Sequence, residues 1–161
     1  MARRAAGFGM TILYHDVTQL PDAVTMSLGA TFVTLDELLA RSDFISLHVN
    51  LTTETRHLIN ARTLAAMKST AVLVNTSRGQ VIDQIALADV LRDGVIWAAA
   101  VDVTDPERIP MDDPLVDLSN CLIVPHIGSA SRATRGKMAA ANLLAGVRGE
   151  PLQTPVEPPG S

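Results

Sequence analysis

Short apolar runs separated by helical segments constrain the fold of this chain more than any other feature. The runs are continuous in apolar residues and do not alternate with polar ones, which is typical of strands buried on both faces of a parallel sheet. They occupy residues 10–14, 31–33, 43–49, 71–74, 95–103 and 121–124. With helices between them, they predict an α/β protein built on a doubly wound parallel sheet.

Capping residues mark where the intervening helices begin. Thr34 and Glu37 have the spacing of a capping box. Asn60 and Asp83 each precede a further helical segment, and the second of these ends near Gly94. Helices are also predicted over residues 1–9 and 131–146, residues 17–30 show no clear pattern, and residues 151–161, with four prolines, are predicted to be a flexible tail.

Composition excludes several classes of function. The chain has 161 residues, which suits about one domain and is too short for full cofactor and substrate domains together. Its 13 Lys and Arg residues against 17 Asp and Glu residues give a net charge of −4, whereas phosphate binding needs a basic stripe, so nucleic acid is not expected as a partner. No apolar stretch has the length of a membrane span or a signal peptide, and the single cysteine, Cys121, cannot form an internal disulfide. These features predict a cytoplasmic protein with no membrane partner.

Polar residues gather where the predicted strands end. In open α/β sheets, ligands bind beyond the carboxyl ends of the strands, so residues that follow different strands can meet in one site. The candidates are Asp16, Asn50, Thr76, Ser77, Arg78, Asp102, Glu107, His126, Gly128 and Ser129.

Three of these candidates carry side chains suited to catalysis. Arg78 could hold a carboxylate through two parallel hydrogen bonds, although a surface arginine in a loop is equally expected from position alone. Glu107 could orient a histidine, but position alone favours a solvated loop acid. His126 follows an apolar strand and precedes Gly-Ser, which favours a general acid or base over a core histidine.

The remaining polar residues point to a cofactor and away from a metal. Asp16 suits the acid that binds the adenosine ribose of a dinucleotide and repels a 2′-phosphate, while the alternative is a turn or helix cap. His48 and His57 are interpreted as structural, and Cys121 as a small core residue. No Cys/His cluster has the spacing of metal ligands, so no metal is predicted.

The glycine-rich turn of a dinucleotide fold has no counterpart in this sequence. That turn reads Gly-x-Gly-x-x-Gly and joins the first strand to the first helix. The pair Gly7 and Gly9 precedes a strand instead of opening a helix. No other match to that turn occurs in the sequence.

Several motifs in order resemble the D-isomer-specific 2-hydroxyacid dehydrogenases. They are DFISLHVNLT at residues 43–52, LVNTSRG at 73–79, VDVTDPE at 101–107 and VPHIGS at 124–129. Within the family, the DVTxPE run and NLLAGVRGEP at 142–151 are most similar to glyoxylate/hydroxypyruvate reductases. The resemblance extends from Met1 to about Pro151 and corresponds to the C-terminal half of the family, so residues 1–150 are expected to be a partial NAD(P)-binding domain with catalytic residues.

The resemblance implies roles for the strand-end residues. It assigns Arg78 to the substrate carboxylate, His126 to protonation of the carbonyl oxygen, and Glu107 to pairing with that histidine. The reaction implied is hydride transfer between a nicotinamide cofactor and a small 2-keto or 2-hydroxy acid such as hydroxypyruvate or glyoxylate. The cofactor is NAD(H) or NADP(H), and Asp16 favours NAD. The full-length form is expected to be a homodimer. Cofactor contacts are implied for Asp16, Asn50, Thr76, Asp102 and Gly128, and a substrate contact for Ser129.

The resemblance implies that the doubly wound sheet is incomplete, because the family's first strand and glycine-rich turn have no counterpart in this sequence. In the order 3-2-1-4-5-6 the first strand is central, so without it the second and fourth strands present unpaired edges. The pyrophosphate also loses its cradle, and the chain by itself is expected to bind dinucleotide poorly and to turn over little or not at all. The alternative function is non-catalytic: a Rossmann-like remnant that serves as a dimerisation or protein-binding module.

Overall fold

A computed structural model describes residues 1–128 and 132–151 of the chain. It divides into two compact units, Met1–Val124 and Pro125–Ser161, which are described separately. The strands are β1 (Ile12–Tyr14), β2 (Ala30–Phe32), β3 (Phe44–Leu47), β4 (Val72–Asn75), β5 (Ala98–Val101) and β6 (Cys121–Ile123). The helices are α1 (Ala2–Ala6), α2 (Asp22–Leu28), α3 (Leu35–Arg41), α4 (Ala61–Ala65), α5 (Gln84–Arg92) and, in the second unit, α6 (Arg132–Arg148).

The strands of the first unit form two parallel sheets. β1 pairs with β2, and β3, β4, β5 and β6 pair in that order. The predicted α/β fold with a parallel sheet is therefore confirmed. Because β4 is central in the larger sheet, its last residue, Asn75, lies opposite Leu47 of β3 and Val101 of β5.

The expected gap in the sheet is also confirmed. Over the described residues, β1 and β3 belong to different sheets, and each has a ladder partner on one side only. In the order 3-2-1-4-5-6, β1 and β3 correspond to the second and fourth strands. These are the two strands for which an unpaired edge was predicted.

Local capping explains where the helices of the first unit begin. Thr34 Oγ1 accepts from the Glu37 amide at 3.2 Å, and Asp83 accepts from the Ala86 amide at 3.1 Å. Asn60 forms a reciprocal capping box with Thr63, whose hydroxyl accepts from the Asn60 amide at 2.7 Å. These bonds satisfy backbone donors that the first helical turn leaves without partners.

Helix α2 was not foreseen, because residues 17–30 show no clear pattern. Pro21 stands directly before it, and Gly29 ends it with a left-handed φ of 58°. Proline before a helix and glycine after it are ordinary end signals, so the residues that read as breaks are the boundaries of a short helix. The strand predicted over residues 95–103 is shorter in the structure, where ladder bonds form only at Ala98–Val101.

The hydrophobic core lies around the four-stranded sheet. None of residues 1–32 is buried, and the strands β1 and β2 are at most half-buried. No helix in the described ranges is long and apolar enough to cross a membrane. The largest fully buried apolar side chains are Leu39, Ile59, Leu64, Leu73, Leu87, Ile96 and Leu115.

Candidate functional site

A cleft of about 410 Å³ opens at the carboxyl ends of β3 and β4. Because these strands are parallel neighbours, the residues that follow them emerge at the same edge of the sheet. Three predicted site residues, Asn50, Thr76 and Arg78, therefore come together in this cleft. The other lining residues are His48, Val49, Leu51 and Ser77.

The turn that carries Arg78 is held by a buried amide. Asn75 is 0% exposed, and its Nδ2 donates to the carbonyl oxygen of Arg78 at 2.9 Å. Its Oδ1 accepts from the amide of Ser77 at 3.0 Å and from the Ser77 hydroxyl at 2.8 Å. One side chain thus binds both residues of the turn that follow Thr76.

The Arg78 side chain is exposed at the cleft. Its Nη1 donates to the carbonyl oxygen of Ser77 at 2.7 Å. A guanidinium has five N–H donors, so this internal bond still leaves donors for a bound carboxylate. The geometry therefore presents a cation with a directional set of donors at the edge of a polar cleft.

The loop after β5 packs directly against the Arg78 turn. A Cβ at Gly79 would lie 2.1 Å from the Thr104 carbonyl oxygen, so the two backbones meet where no side chain fits. Gln80 Nε2 donates to Asp105 Oδ1 at 2.9 Å, and the amide of Asp102 donates to the Asn75 carbonyl oxygen at 2.9 Å. The loop that leads to Glu107 is thus joined to the turn of Arg78.

Asp102 and Glu107 occupy contrasting positions on that loop. Asp102 directly follows β5 and is 5% exposed, whereas Glu107 is exposed. Thr104 Oγ1 donates to the carbonyl oxygens of Pro106 at 2.7 Å and Glu107 at 3.3 Å, which fixes the backbone around the peptide bond between Asp105 and Pro106.

His126 and Gly128 belong to the second unit. His126 is half-buried and has a φ of 53°, in the left-handed region that residues other than glycine seldom adopt. Such conformations persist only where the surrounding structure holds them in place, and they are found most often at functional sites. Gly128 is exposed, and Ser129 and the predicted tail from residue 152 onward lie outside the described residues.

Asp16 lies at the carboxyl end of the smaller sheet, two residues beyond β1. It is exposed, and its Oδ1 accepts from the Val17 amide at 2.7 Å. It does not line the cleft of Arg78. The structure thus brings Asn50, Thr76 and Arg78 together and leaves Asp16 on a separate element.

His48 is a cleft residue that the sequence interpretation missed. It was interpreted as structural, yet it lines the cleft, with its Nε2 2.9 Å from the Ser46 hydroxyl. Its position at the end of a parallel strand, two residues before Asn50, was the available signal.

Cys121 and the acidic residues form no metal centre in the described part of the chain. No group of three or more His, Cys, Asp or Glu residues there could hold a metal ion. Burial of Cys121, with a smaller contribution from the charge of Asp113, raises the pKa of its thiol to about 11. The thiol is therefore protonated at neutral pH and poorly nucleophilic.

Comparison with known proteins places this architecture in a family. Residues 1–128 match the family described as D-isomer specific 2-hydroxyacid dehydrogenase, NAD binding domain. The chain therefore belongs to the D-isomer specific 2-hydroxyacid dehydrogenases, as the sequence motifs indicated.

Glyoxylate reductases are among the similar relatives. The glyoxylate reductase of Korarchaeum cryptofilum (strain OPF8) is 52% identical over 153 residues, which are 93% of this chain and 46% of that protein. The glyoxylate reductase/hydroxypyruvate reductase of Homo sapiens is 45% identical over 155 residues, 94% of this chain and 47% of that protein. The chain thus spans about half the length of the curated relatives it matches.

Solved structures show the same partial coverage. The TT0316 protein from Thermus thermophilus superposes with a TM-score of 0.84 at 45% identity, over 97% of this chain and 49% of that chain. The holo form of Rhodotorula graminis D-mandelate dehydrogenase superposes with a TM-score of 0.86 at 34% identity, over 98% of this chain and 47% of that chain.

Proposed function

We propose that this chain carries the catalytic half of a D-2-hydroxyacid dehydrogenase that acts on a small 2-keto acid such as glyoxylate or hydroxypyruvate. The observation that carries the proposal is Arg78, presented by a buried amide at the edge of a polar cleft. The similar relatives named glyoxylate reductase support this substrate class.

Arg78 is proposed to bind the substrate carboxylate. A guanidinium and a carboxylate can form two parallel charge-assisted hydrogen bonds, which fix both the position and the plane of the acid. A keto oxygen next to that carboxylate would lie within reach of the same positive charge. The charge would stabilise the negative character that develops on this oxygen during reduction.

His126 is proposed to donate the proton and Glu107 to orient it. Reduction adds hydride to the carbonyl carbon and a proton to the carbonyl oxygen, so a general acid is needed. A nearby carboxylate favours the protonated imidazolium that can supply this proton. The left-handed backbone at His126 supports a functional role for this residue.

The cofactor proposed is NAD(H), which supplies the hydride when bound. The cleft suits a polar ligand, because an amide, a hydroxyl and a cation from Asn50, Thr76 and Arg78 line it. Asn50, Thr76, Asp102 and Gly128 are proposed to contact the cofactor. Asp16 is proposed to bind the adenosine ribose, where its charge would repel the 2′-phosphate of NADP(H).

A non-catalytic binding module is the second candidate, and the open sheet edges favour it. β1 and β3 each have an edge without a ladder partner among the described residues, and Phe44 at the start of β3 is largely exposed. An exposed strand edge is a template for pairing with another chain. This function needs neither Arg78 nor its cleft, so ligand binding separates the two candidates.

Oxalate, a planar mimic of a 2-keto acid, provides the test on the chain as it exists. In an NMR titration we expect oxalate to shift the signals of residues 76–78 and Arg78→Ala to abolish the shifts. Arg92→Ala is the matched control, because Arg92 is also exposed but bonds Asp89 on α5. Equal oxalate affinity in the wild type and Arg78→Ala would contradict the proposed clamp, in which the Arg78 guanidinium binds the carboxylate.

Turnover is the second measurement. With NADH and hydroxypyruvate we expect little activity, because the sequence has no glycine-rich turn to hold the pyrophosphate. Any activity above background should disappear in Arg78→Ala and persist in Arg92→Ala. Tight, stoichiometric binding in a titration of NADH fluorescence would contradict the expected weakness of cofactor binding.

A further inference from the structure

The Arg78 guanidinium is connected to the buried Asn75 amide through a short chain of hydrogen bonds. Arg78 Nη1 donates to the carbonyl oxygen of Ser77 at 2.7 Å. The amide of Ser77 in turn donates to Asn75 Oδ1 at 3.0 Å, and Asn75 Nδ2 donates to the Arg78 carbonyl oxygen at 2.9 Å. Both the side chain and the backbone of Arg78 are therefore anchored, directly or through Ser77, to one buried side chain.

Asn75 is itself held firmly in place. It is the last residue of the central strand β4, is fully buried, and pairs in register with both neighbouring strands. The chemistry of its partners fixes the orientation of the amide: the Ser77 N–H needs the oxygen, and the Arg78 carbonyl needs the nitrogen. Each half of the amide thus has a distinct task.

We propose that Asn75 is a positioning residue that holds Arg78 in the orientation in which it binds a carboxylate. The proposal rests on the proposed function of Arg78 and extends it to a residue that does not line the cleft. A side chain fixed before binding loses less conformational entropy when the ligand arrives, so preorganisation increases affinity. Without Asn75, Arg78 would keep its charge and lose its preset direction.

Asn75→Asp is the most informative variant, because it has the same shape and changes one function. In its ionised form the carboxylate still accepts from Ser77, but it places an oxygen against the Arg78 carbonyl where a donor stood, and it adds a charge at a fully buried position. The turn should therefore open at Arg78 while the bonds to Ser77 persist.

Asn120→Asp is the matched control for loss of stability. Asn120 Nδ2 donates to the carbonyl oxygens of Leu91 at 3.0 Å and Trp97 at 3.3 Å, so the same change removes a backbone-binding donor beside β5, at a half-buried position. Asn120 does not line the cleft. A purely structural role for Asn75 predicts that the two variants affect oxalate binding alike.

The experiment combines an oxalate titration with ¹⁵N relaxation of the Arg78 Nε–H group and hydrogen exchange of the Ser77 and Arg78 amides. In Asn75→Asp we expect oxalate affinity to fall about tenfold, which is the lower end of what one hydrogen bond to a charged group contributes. The Arg78 Nε–H group should become more mobile and the Arg78 amide should exchange faster. Asn120→Asp should leave oxalate affinity and Arg78 mobility at the wild-type values.

The outcomes separate this inference from the proposed function. If Arg78→Ala weakens oxalate binding but Asn75→Asp does not, the positioning role is wrong and the clamp stands. If the wild type fails to bind oxalate, the proposed binding of the carboxylate by Arg78 is wrong, and the positioning role falls with it. Unchanged Arg78 mobility in Asn75→Asp would overturn the positioning role alone.

Ser77→Ala keeps the test open if Asn75→Asp does not fold. It removes the hydroxyl that donates to Asn75 Oδ1 at 2.8 Å, and because Ser77 also lines the cleft, the mobility of Arg78 is the deciding measurement. We expect about threefold weaker oxalate binding and a measurable gain in Arg78 mobility, in line with one neutral hydrogen bond. No change in either quantity would overturn the proposal.

Discussion

The two sheets of the first unit differ sharply in how much core they possess. Around the four-stranded sheet, side chains such as Leu73 on β4 are fully buried. Around the two-stranded sheet, no residue from 1 to 32 is buried, and Phe8 and Val17 are 83% and 98% exposed. Hydrophobic burial is the dominant favourable contribution to folding, so the larger sheet is expected to carry most of the stability of the unit.

This difference divides the candidate site along the same line. Arg78, Asn50 and Thr76 are presented by strands with a packed core behind them. Asp16 extends from the smaller sheet, which has no such core. The proposed substrate clamp is thus rigidly supported, whereas the proposed ribose-binding acid is on the weakly buried element. Three predictions test this contrast.

The largest expected effect is that of Gly79→Ala. The added Cβ would lie 2.1 Å from the Thr104 carbonyl oxygen and 2.7 Å from the Asp105 nitrogen, so two backbones must move apart. We expect the free energy of unfolding to fall by about 4 kcal/mol or more, the size of effect that severe disruption of packing produces. Urea unfolding measures it.

Gly9→Ala is the counterpart for that measurement in the weakly buried region. Gly9 has a φ of 72° but nothing within 4 Å of an added Cβ, so the substitution brings only backbone strain. We expect a loss of about 1 kcal/mol. Equal losses for Gly79→Ala and Gly9→Ala would show that the two regions are not packed differently.

A pair of aspartates gives the next contrast. Asp102 is 5% exposed at the end of β5, so Asp102→Ala removes a buried polar side chain and should cost about 2 kcal/mol. Asp16 is exposed, with the Val17 amide as its donor, so Asp16→Ala should change stability by less than about 0.5 kcal/mol. Thermal unfolding of both variants tests the difference, and a larger effect at Asp16 would reverse the proposed division.

The smallest effect is an alkaline loss of stability from Cys121 on β6. Its pKa is raised from 9.0 to about 11, first by burial and then by the charge of Asp113. A raised pKa in the folded state means that stability is complete below about pH 9 and declines as the pH rises through about 11. Unfolding followed by the fluorescence of the single tryptophan, Trp97, should show this decline.

Cys121→Ala provides the control for the alkaline measurement. Without the thiol, the decline between about pH 9 and pH 11 should become smaller. A decline of the same size in Cys121→Ala would assign it to other groups.

Much of the fold could be predicted because its signals are local. Continuous apolar runs predict buried parallel strands, and polar residues at their ends, such as Asn50 and Arg78, predict where a site forms. Helix α2 was not predicted because Pro21 and Gly29, which lie at its two ends, also suit a turn. The position of His48 in the cleft could not be predicted, because a histidine at a strand end does not reveal by itself which way it faces.

Other features of the site depend on contacts between segments distant in sequence. The tight approach of Gly79 to Thr104 requires the loops after β4 and β5 to lie side by side. The bonds from Asn75 to Ser77 and Arg78 require a specific turn conformation, which the string Asn-Thr-Ser-Arg-Gly does not specify. The left-handed conformation of His126 is a backbone feature that the string Val-Pro-His-Ile-Gly does not specify.

Within residues 1–128 and 132–151, β1 and β3 each keep an edge without a ladder partner, and this has a consequence for handling the protein at high concentration. Natural sheets protect their edges with lysines, prolines, bulges or covering segments, because bare edges of separate molecules join and precipitate. Here β3 begins with the exposed Phe44, and Lys68 nearby is paired with Asp43 at 2.8 Å. Dilute solutions and a charged substitution such as Phe44→Lys are therefore the natural precautions against aggregation during crystallisation or NMR.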